Sequence, residues 1–106
     1  MSILDFFKGT DINEGVIQFC ADKNAVLLDV RSEEEYAAGH IPGSINISLD
    51  RIEEAPGRIP DKKTTIFIYC LRGTRSRRAV RALSKMGYEA VKSIGGINSY
   101  NEQTER

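Results

Sequence analysis

The stretch that decides the fold reads Thr64-Thr65-Ile66-Phe67-Ile68-Tyr69-Cys70-Leu71-Arg72-Gly73-Thr74-Arg75-Ser76. Its first six residues are β-branched or aromatic, which is typical of a buried strand, and the run leads straight into Cys70. Gly73 allows backbone conformations that other residues avoid, and an amphipathic helical pattern begins at about Arg75 or Ser76. The stretch therefore predicts a strand, a short loop and a helix, with a cysteine where the strand ends.

The same alternation of strand and helix patterns extends in both directions from this stretch. Asp11 with Glu14, and Ser32 with Glu35, form two capping boxes that predict two helices, the second ending at Gly39. The other predicted elements are strands over 25–28, 44–47 and 88–94, a short helix over 49–55 that Pro56-Gly57 ends, a helix with Ala79, Val80, Leu83 and Met86 as its buried stripe, and a final short helix over 97–103 after a chain break at Gly95-Gly96. This order indicates βαβ units, so we predict an α/β fold with a largely parallel sheet.

Length and composition limit the class of protein. A chain of 106 residues, 41% of them hydrophobic, suits one domain, which we expect over residues 1–106 with a core of about 12–101. The 15 basic and 15 acidic residues cancel, so no direct nucleic-acid binding is expected. No apolar run approaches the roughly 18 residues of a membrane span. The opening Met1 to Lys8 has an acid inside its apolar patch, unlike a signal peptide, and we expect a cytoplasmic protein with no membrane partner.

The two cysteines raise the question of reactivity. They do not make a disulfide framework and are too few for a cysteine-rich zinc site. Cys20 shares an apolar helix face with Val16 and Ile17, so we expect it in the core. A cysteine at the end of an apolar strand is more often a small buried hydrophobe than a nucleophile. For Cys70, the glycine and arginine that follow it and the helix start favour a reactive thiol, because packing alone does not require that combination.

The expected surroundings of Cys70 favour its thiolate. Ligands bind at the carboxyl ends of strands in open α/β sheets, and the unpaired N–H groups of a helix start attract anions. Such positions lower a cysteine pKa from about 8.5 to about 3.5–7.5. Local charge agrees, because five arginines and no acid lie between Cys70 and Arg81. These arginines are Arg72, Arg75, Arg77, Arg78 and Arg81, a patch of +5 on a body of −5.

Four motifs extend this interpretation along most of the chain. They are Leu28-Asp29-Val30-Arg31 followed by Glu35-Tyr36, Gly39-His40-Ile41-Pro42-Gly43-Ser44-Ile45-Asn46, the stretch from Cys70 to Ser76, and Gly95-Gly96. At this spacing the sequence resembles a single-domain rhodanese, of the sulfurtransferase family, from about Ile12 to Asn101. That family often has a tryptophan shortly after the glycine pair, where this chain has Tyr100, and we interpret the difference as a packing change.

The resemblance implies a five-stranded, mainly parallel sheet with helices on both faces. It implies that Cys70 is the nucleophile, that Ser76 caps the helix, and that a cradle of backbone N–H groups binds the substrate. The cradle would consist of Leu71, Arg72, Gly73, Thr74 and Arg75. The implied enzyme is a rhodanese-type thiosulfate sulfurtransferase. Its thiolate takes the outer sulfur of thiosulfate or a persulfide donor and passes it from a Cys70 persulfide to a thiol, cyanide or protein acceptor. No metal or organic cofactor is implied.

Other polar residues of these motifs have structural interpretations. Asp29 and Arg31 lie at a strand's carboxyl end, where support of the loop, with an ion pair to Glu35, is favoured over substrate contact. His40, the only histidine, falls in a turn that looks structural in the family and is not expected to be a base. We expect Arg72 and Arg75 to bind the anionic end of an inorganic donor.

Two other functions stay open. A thiolate in an anion-binding loop could attack phosphorus or arsenic, as in a phosphatase or arsenate reductase. The usual phosphatase loop, however, has its arginine six positions after the cysteine, where this chain has Ser76. Alternatively, the protein is a non-catalytic or carrier module that accepts and passes sulfur within a persulfide relay.

Overall fold

The computed structural model describes residues 11–106, so the expectation for Met1 to Lys8 lies outside the described residues. The elements in chain order are α1 (Ile12–Ala21), β1 (Val26–Asp29), α2 (Glu33–Ala38), β2 (Ile45–Asn46), a first 3-10 helix (Leu49–Glu54), α3 (Ala55–Arg58), β3 (Thr65–Cys70), α4 (Thr74–Lys85), β4 (Ala90–Gly96) and a second 3-10 helix (Ile97–Ser99). None of the helices in this range is both long and apolar enough to span a membrane.

The sheet confirms the predicted α/β class. Its strands lie in the order β2-β1-β3-β4, and every neighbouring pair is parallel. Residues 11–106 form four strands, one fewer than the five that the family resemblance implied. Because all four strands run the same way, their carboxyl ends meet at one edge. Cys70 ends β3 at that edge, with β1 on one side and β4 on the other.

Helices cover both faces of the sheet, as expected. Leu27, Phe67 and Tyr69 face α1, whereas Leu28, Ile68 and Cys70 face α4 and the first 3-10 helix. The strict alternation along β3 follows from the two-residue period of a strand. Consequently the sulfur of Cys70 lies on the α4 face, beneath the start of that helix.

The capping box at Ser32 is confirmed. The Ser32 hydroxyl accepts from the Glu35 N–H, the Glu35 carboxylate accepts from the Ser32 N–H, and α2 ends at Gly39. The expectation for residues 49–55 is only partly met, because the chain continues from a 3-10 helix into α3. Pro56 lies in the first turn of α3, where a missing N–H costs no helical hydrogen bond, so it does not end the helix.

The expected apolar face of α1 was wrong. Ile17 is 69% exposed and Cys20 is also exposed, so neither belongs to the core. The helix is rotated because Gly15, which has no side chain, lies directly against Ile94 of β4. The residues that face the sheet are Ile12, Gly15, Val16 and Phe19.

The glycine pair near the C-terminal end also differs from expectation. Gly95-Gly96 does not break the chain but completes β4, and Gly96 pairs with Cys70. A bulge precedes it, because Ile68 pairs with Ser93 and Tyr69 with Gly95. The expected final helix is reduced to the short second 3-10 helix.

The contact between α1 and β4 gives a stability prediction. A methyl group at Gly15 would lie 2.5 Å from Ile94 Cγ2 and 2.6 Å from its Cβ. Alanine is favoured in helices by about 1 kcal/mol, whereas overpacking costs about 1–3 kcal/mol and should lie toward the upper end here, because Ile94 Cβ cannot swing away. Gly15→Ala should therefore lower the free energy of unfolding by about 1–2 kcal/mol. Gly57→Ala is the matched control, since no atom lies within 4 Å of its Cβ position. Urea denaturation that showed Gly15→Ala to be as stable as the control would contradict this packing.

Candidate active site

Cys70 lies at the bottom of the loop that joins β3 to α4. Its side chain is only 1% exposed, and the loop of Leu71, Arg72 and Gly73 passes over it. Gly73 has a φ of 103°, a left-handed conformation that favours glycine, and it is the N-cap residue of α4. The helix therefore begins at Thr74, slightly earlier than predicted.

Backbone N–H groups point at the sulfur. The N–H of Gly73 donates to Cys70 Sγ at 3.0 Å, and the N–H of Ser76 donates to it at 3.4 Å. The left-handed turn at Gly73 brings its amide inward, while Ser76 belongs to the first turn of α4, whose N–H groups have no partner within the helix. The arrangement is a concave anion site built from main-chain groups.

Ser76 adds a hydroxyl to the same site. It is fully buried, and its Oγ lies 3.7 Å from Cys70 Sγ, donates to the Gly73 carbonyl at 3.0 Å and shares a 2.7 Å hydrogen bond with Ser93 Oγ. Ser76 thus lies within the helix and does not cap it, since the cap residue is Gly73. Its hydroxyl ties the loop, the helix and β4 together around the sulfur.

These contacts set the acidity of the thiol. Burial raises the pKa of Cys70, but hydrogen bonds with the N–H and the hydroxyl of Ser76 and with the N–H groups of Gly73 and Arg72 outweigh burial and lower the pKa below its ordinary value. The thiolate is thus favoured by groups that are already in place, without a side-chain base.

Gly96 allows the loop to lie close to the sheet. A Cβ atom at this position would be 2.1 Å from the Leu71 carbonyl oxygen and 2.6 Å from Arg72 Cα. The same carbonyl accepts a hydrogen bond from the Asn98 N–H at 3.2 Å, which also holds the loop in place. The glycine pair of the sequence therefore supports the loop over Cys70, a role that its spacing alone did not reveal.

Arg75 is paired with Glu35. Its two terminal nitrogens donate to the two carboxylate oxygens at 2.7 and 3.0 Å. The hydrogen bonds from Arg75 outweigh partial burial and lower the pKa of Glu35 to about 2, so the pair persists throughout the neutral range. The expected ion pair between Glu35 and the Asp29–Arg31 segment was wrong, because Glu35 pairs with Arg75. Asp29 and Arg31 are both buried elsewhere.

Asp29 and Arg31 bind each other at the end of β1. Arg31 Nη2 lies 2.8 Å from Asp29 Oδ2 and also donates to the Gly39 carbonyl at 2.7 Å. Asn46 donates to the carbonyls of both residues at 2.9 Å. These hydrogen bonds join β1, β2 and the segment after α2, which is consistent with a supporting role.

The lone histidine has structural contacts. His40 stacks on the Tyr36 ring with centroids 3.8 Å apart, and its Nδ1 lies 2.9 Å from the Tyr36 carbonyl oxygen. The nearby Ser44 hydroxyl lies 3.0 Å from the hydroxyl of Tyr69, a buried residue next to Cys70. This turn therefore packs against β3 beside the site.

The other predicted site residues differ in exposure. Arg72 and Thr74 are exposed and Leu71 is half-buried. Tyr100 packs with the core on the α1 face, which agrees with a packing change.

Sequence reasoning missed Ser93, for which the available signal was a serine at a core-facing position of a strand. Within residues 11–106, no three histidine, cysteine or acidic side chains are grouped so as to hold a metal ion.

Comparison with known proteins places this geometry in a family. The family model for the rhodanese-like domain matches residues 14–103 of this chain. Thiosulfate sulfurtransferase PspE of Escherichia coli K12 is 41% identical over 71 residues, which are 66% of this chain and 68% of that protein. A solved structure described as rhodanese with anions from E. coli has a TM-score of 0.72 at 35% identity and covers 77% of this chain and 98% of its own.

A longer relative shows the same domain in another setting. The adenylyltransferase and sulfurtransferase uba4 of Ogataea parapolymorpha is 35% identical over 96 residues, which are 90% of this chain but 25% of that protein. The chain thus spans only a quarter of this fungal relative. Both of these relatives are named as sulfurtransferases. The chain belongs to the rhodanese-like domain family.

Proposed function

We propose that the protein transfers sulfane sulfur from thiosulfate or a persulfide donor, through a persulfide on Cys70, to a thiol, cyanide or protein acceptor. The observation that carries the proposal is the pair of backbone N–H groups, of Gly73 and Ser76, that point at Cys70 Sγ at 3.0 and 3.4 Å. Donors fixed in this position stabilise negative charge on sulfur without rearrangement during the reaction.

The reaction has two balanced displacements. In the first, the Cys70 thiolate attacks the outer sulfur of thiosulfate, a sulfur–sulfur bond forms, and the bond to the sulfonate sulfur breaks with its electron pair leaving on sulfite. In the second, the acceptor attacks the terminal sulfur of the persulfide, and the Cys70 thiolate leaves. The Cys70 thiolate is the attacking group in the first step and the leaving group in the second. A lowered Cys70 pKa therefore favours both steps.

The phosphatase alternative fits this loop less well. Phosphoryl transfer needs a guanidinium that binds two phosphate oxygens. Arg75, in the first turn of α4, already donates to both oxygens of Glu35. The position six residues after the cysteine is Ser76, whose hydroxyl is turned toward Gly73 and Ser93. We therefore favour sulfur over phosphorus as the atom attacked.

The first prediction concerns the site of the sulfur adduct. Incubation with thiosulfate should add the mass of one sulfur atom to the protein, and cyanide or a thiol should remove it. Cys70→Ser should abolish the adduct, whereas Cys20→Ser should retain it, because Cys20 is exposed on α1 and lacks the cradle of amides. Intact-protein mass spectrometry distinguishes the two variants. Loss of the adduct only in Cys20→Ser would assign the chemistry to Cys20 and contradict the proposal.

The same measurement separates an enzyme that uses thiosulfate from a relay module. A relay module should form the Cys70 adduct readily from a persulfide donor such as glutathione persulfide but turn over negligibly with thiosulfate. Loading from neither donor, in a folded protein, would contradict both forms of the proposal.

The second prediction concerns the thiol pKa. In a Cys20→Ser background, the rate of alkylation by iodoacetamide should rise with a midpoint below the free-thiol value of about 8.5. The Ser76 hydroxyl, 3.7 Å from the sulfur, helps to lower the pKa of Cys70, so Ser76→Ala should raise the midpoint. Ser84→Ala, an exposed position on the same helix, is the control and should leave it unchanged. A midpoint at or above 8.5 before substitution would argue against the cradle.

The third prediction concerns the loop. Gly96→Ala places a methyl group where the Leu71 carbonyl now lies, so the loop must move away from β4. Displacement of about 1 Å at a reacting group costs up to about 100-fold, and we expect thiosulfate-to-cyanide transfer to fall about 10- to 100-fold. Gly57→Ala again serves as the control. Full activity in a folded Gly96→Ala protein would show that the loop position does not matter.

A further inference from the structure

Four arginines beside the site have no charge partner among residues 11–106. Arg72, Arg77, Arg78 and Arg81 are exposed, and none forms an ion pair with another residue of the range 11–106. In the same range, Arg31, Arg51 and Arg75 all pair with acidic side chains. We call the four unpaired side chains the arginine face.

The arginine face begins at Cys70 and continues along α4. Arg72 belongs to the loop over the sulfur, and Arg77 Nη1 lies 3.2 Å from the Cβ position of Gly73, which places its guanidinium on that loop. Arg81 follows Arg77 by one helical turn. Since a helix rises about 1.5 Å per residue, the arginines extend about 10 Å from the site, farther than an ion the size of thiosulfate can reach.

A groove lies beside this surface. It has a volume of about 520 Å³ and separates α4 from the first 3-10 helix. Arg75, Arg78 and Ala82 line it on the helix side. The rest of the lining consists of the apolar residues Val30, Leu49 and Ile52 and the polar residues Ser32, Ser48 and Asp50. The arginines lie only on the α4 side of the groove, and Asp50 lies on the other side. The apolar residues between them suit an aliphatic side chain whose acidic neighbours face α4 better than they suit a sugar–phosphate backbone.

The cluster of like charges costs stability in the free protein. Arg77 and Arg81 are four residues apart, a spacing at which like charges destabilise a helix by a few tenths of a kcal/mol. No acid of α4 offsets them. Unpaired charges of this kind speed the encounter with a partner of opposite charge.

We propose that the arginine face and the adjoining groove bind an acidic protein segment that carries the thiol or persulfide exchanging sulfur with Cys70. This inference rests on the proposed function. Because Cys70 is 1% exposed, the reacting sulfur must enter on a narrow group, such as a cysteine in an extended segment. The surrounding acidic side chains would contact the arginines while an aliphatic side chain occupies the groove.

In the experiment, thiosulfate or glutathione persulfide first loads Cys70 with sulfur. Synthetic peptides are then offered as acceptors of that sulfur. One peptide has a single cysteine flanked by glutamate and leucine, and its counterpart has lysine in place of glutamate. We expect kcat/KM to be about tenfold higher or more for the acidic peptide at low salt, with a preference that falls as salt screens the charges.

A double variant tests the surface itself. Arg78→Gln with Arg81→Gln should lower kcat/KM for the acidic peptide about three- to tenfold and leave transfer to the uncharged acceptor 2-mercaptoethanol unchanged. Lys23→Gln with Lys63→Gln removes the same charge at the opposite edge of the sheet, before β1 and β3, and should have no effect. Equal rates for the two peptides, or an equal loss in the lysine variant, would overturn the proposal.

A binding measurement keeps this test separate from the proposed chemistry. A fluorescent acidic peptide with serine in place of cysteine should bind the protein in an anisotropy titration, and the Arg78→Gln/Arg81→Gln variant should weaken binding, even if Cys70 never accepts sulfur. Failure of both loading reactions with intact peptide binding would reject only the sulfur chemistry. Displacement of this peptide by single-stranded RNA of equal charge at a lower concentration would instead identify the surface as a nucleic-acid site and overturn the inference.

Discussion

The close approach of the β3–α4 loop to β4 is the constraint on which the site depends. A buried thiolate is costly unless hydrogen-bond donors replace water, and here those donors are main-chain N–H groups of Gly73 and Ser76. They point inward only while the loop lies flat on Gly96 and Gly73 keeps its left-handed turn. The position of the sulfur at the end of a central strand would by itself only bury it.

Several side chains hold this backbone arrangement from different directions. Ser76 bonds to both the loop and β4 through Gly73 and Ser93. Arg75 fixes the first turn of α4 to α2 through Glu35, and the capping box at Ser32 in turn holds Glu35. One carboxylate therefore both caps a helix and positions an arginine at the site. Arg75 is thus held at the site by Glu35, whereas the sequence analysis predicted that it binds the anionic end of a donor.

What the sequence could predict follows from the range of the interactions. The β3 strand, the capping box at Ser32 and the helix after Cys70 depend on neighbours within a few residues, and these predictions were confirmed or shifted by a residue or two. The face of α1 depends on Gly15 meeting Ile94, a residue far along the chain, and periodicity assigned it wrongly. Likewise, the partner of Arg75 and the role of Gly96 arise only when distant segments meet. The length of the final helix was overestimated, because the helical turn that starts at Ile97 ends at Ser99.

The bulge in β4 lets one strand place a large side chain in the core and glycines beside Tyr69 and Cys70. Ile94 is the extra residue, and its side chain fills the core on the α1 face beside Tyr69, while the positions that pair with Tyr69 and Cys70 are both glycines. In an unbroken ladder the isoleucine would itself stand opposite Tyr69, and each later residue would move back by one. Because Ile94 is an extra residue, the packing of the core by Ile94 is independent of the space that Gly96 leaves above the Cys70 sulfur. The space above Cys70 can in this way change without loosening the packing beneath it.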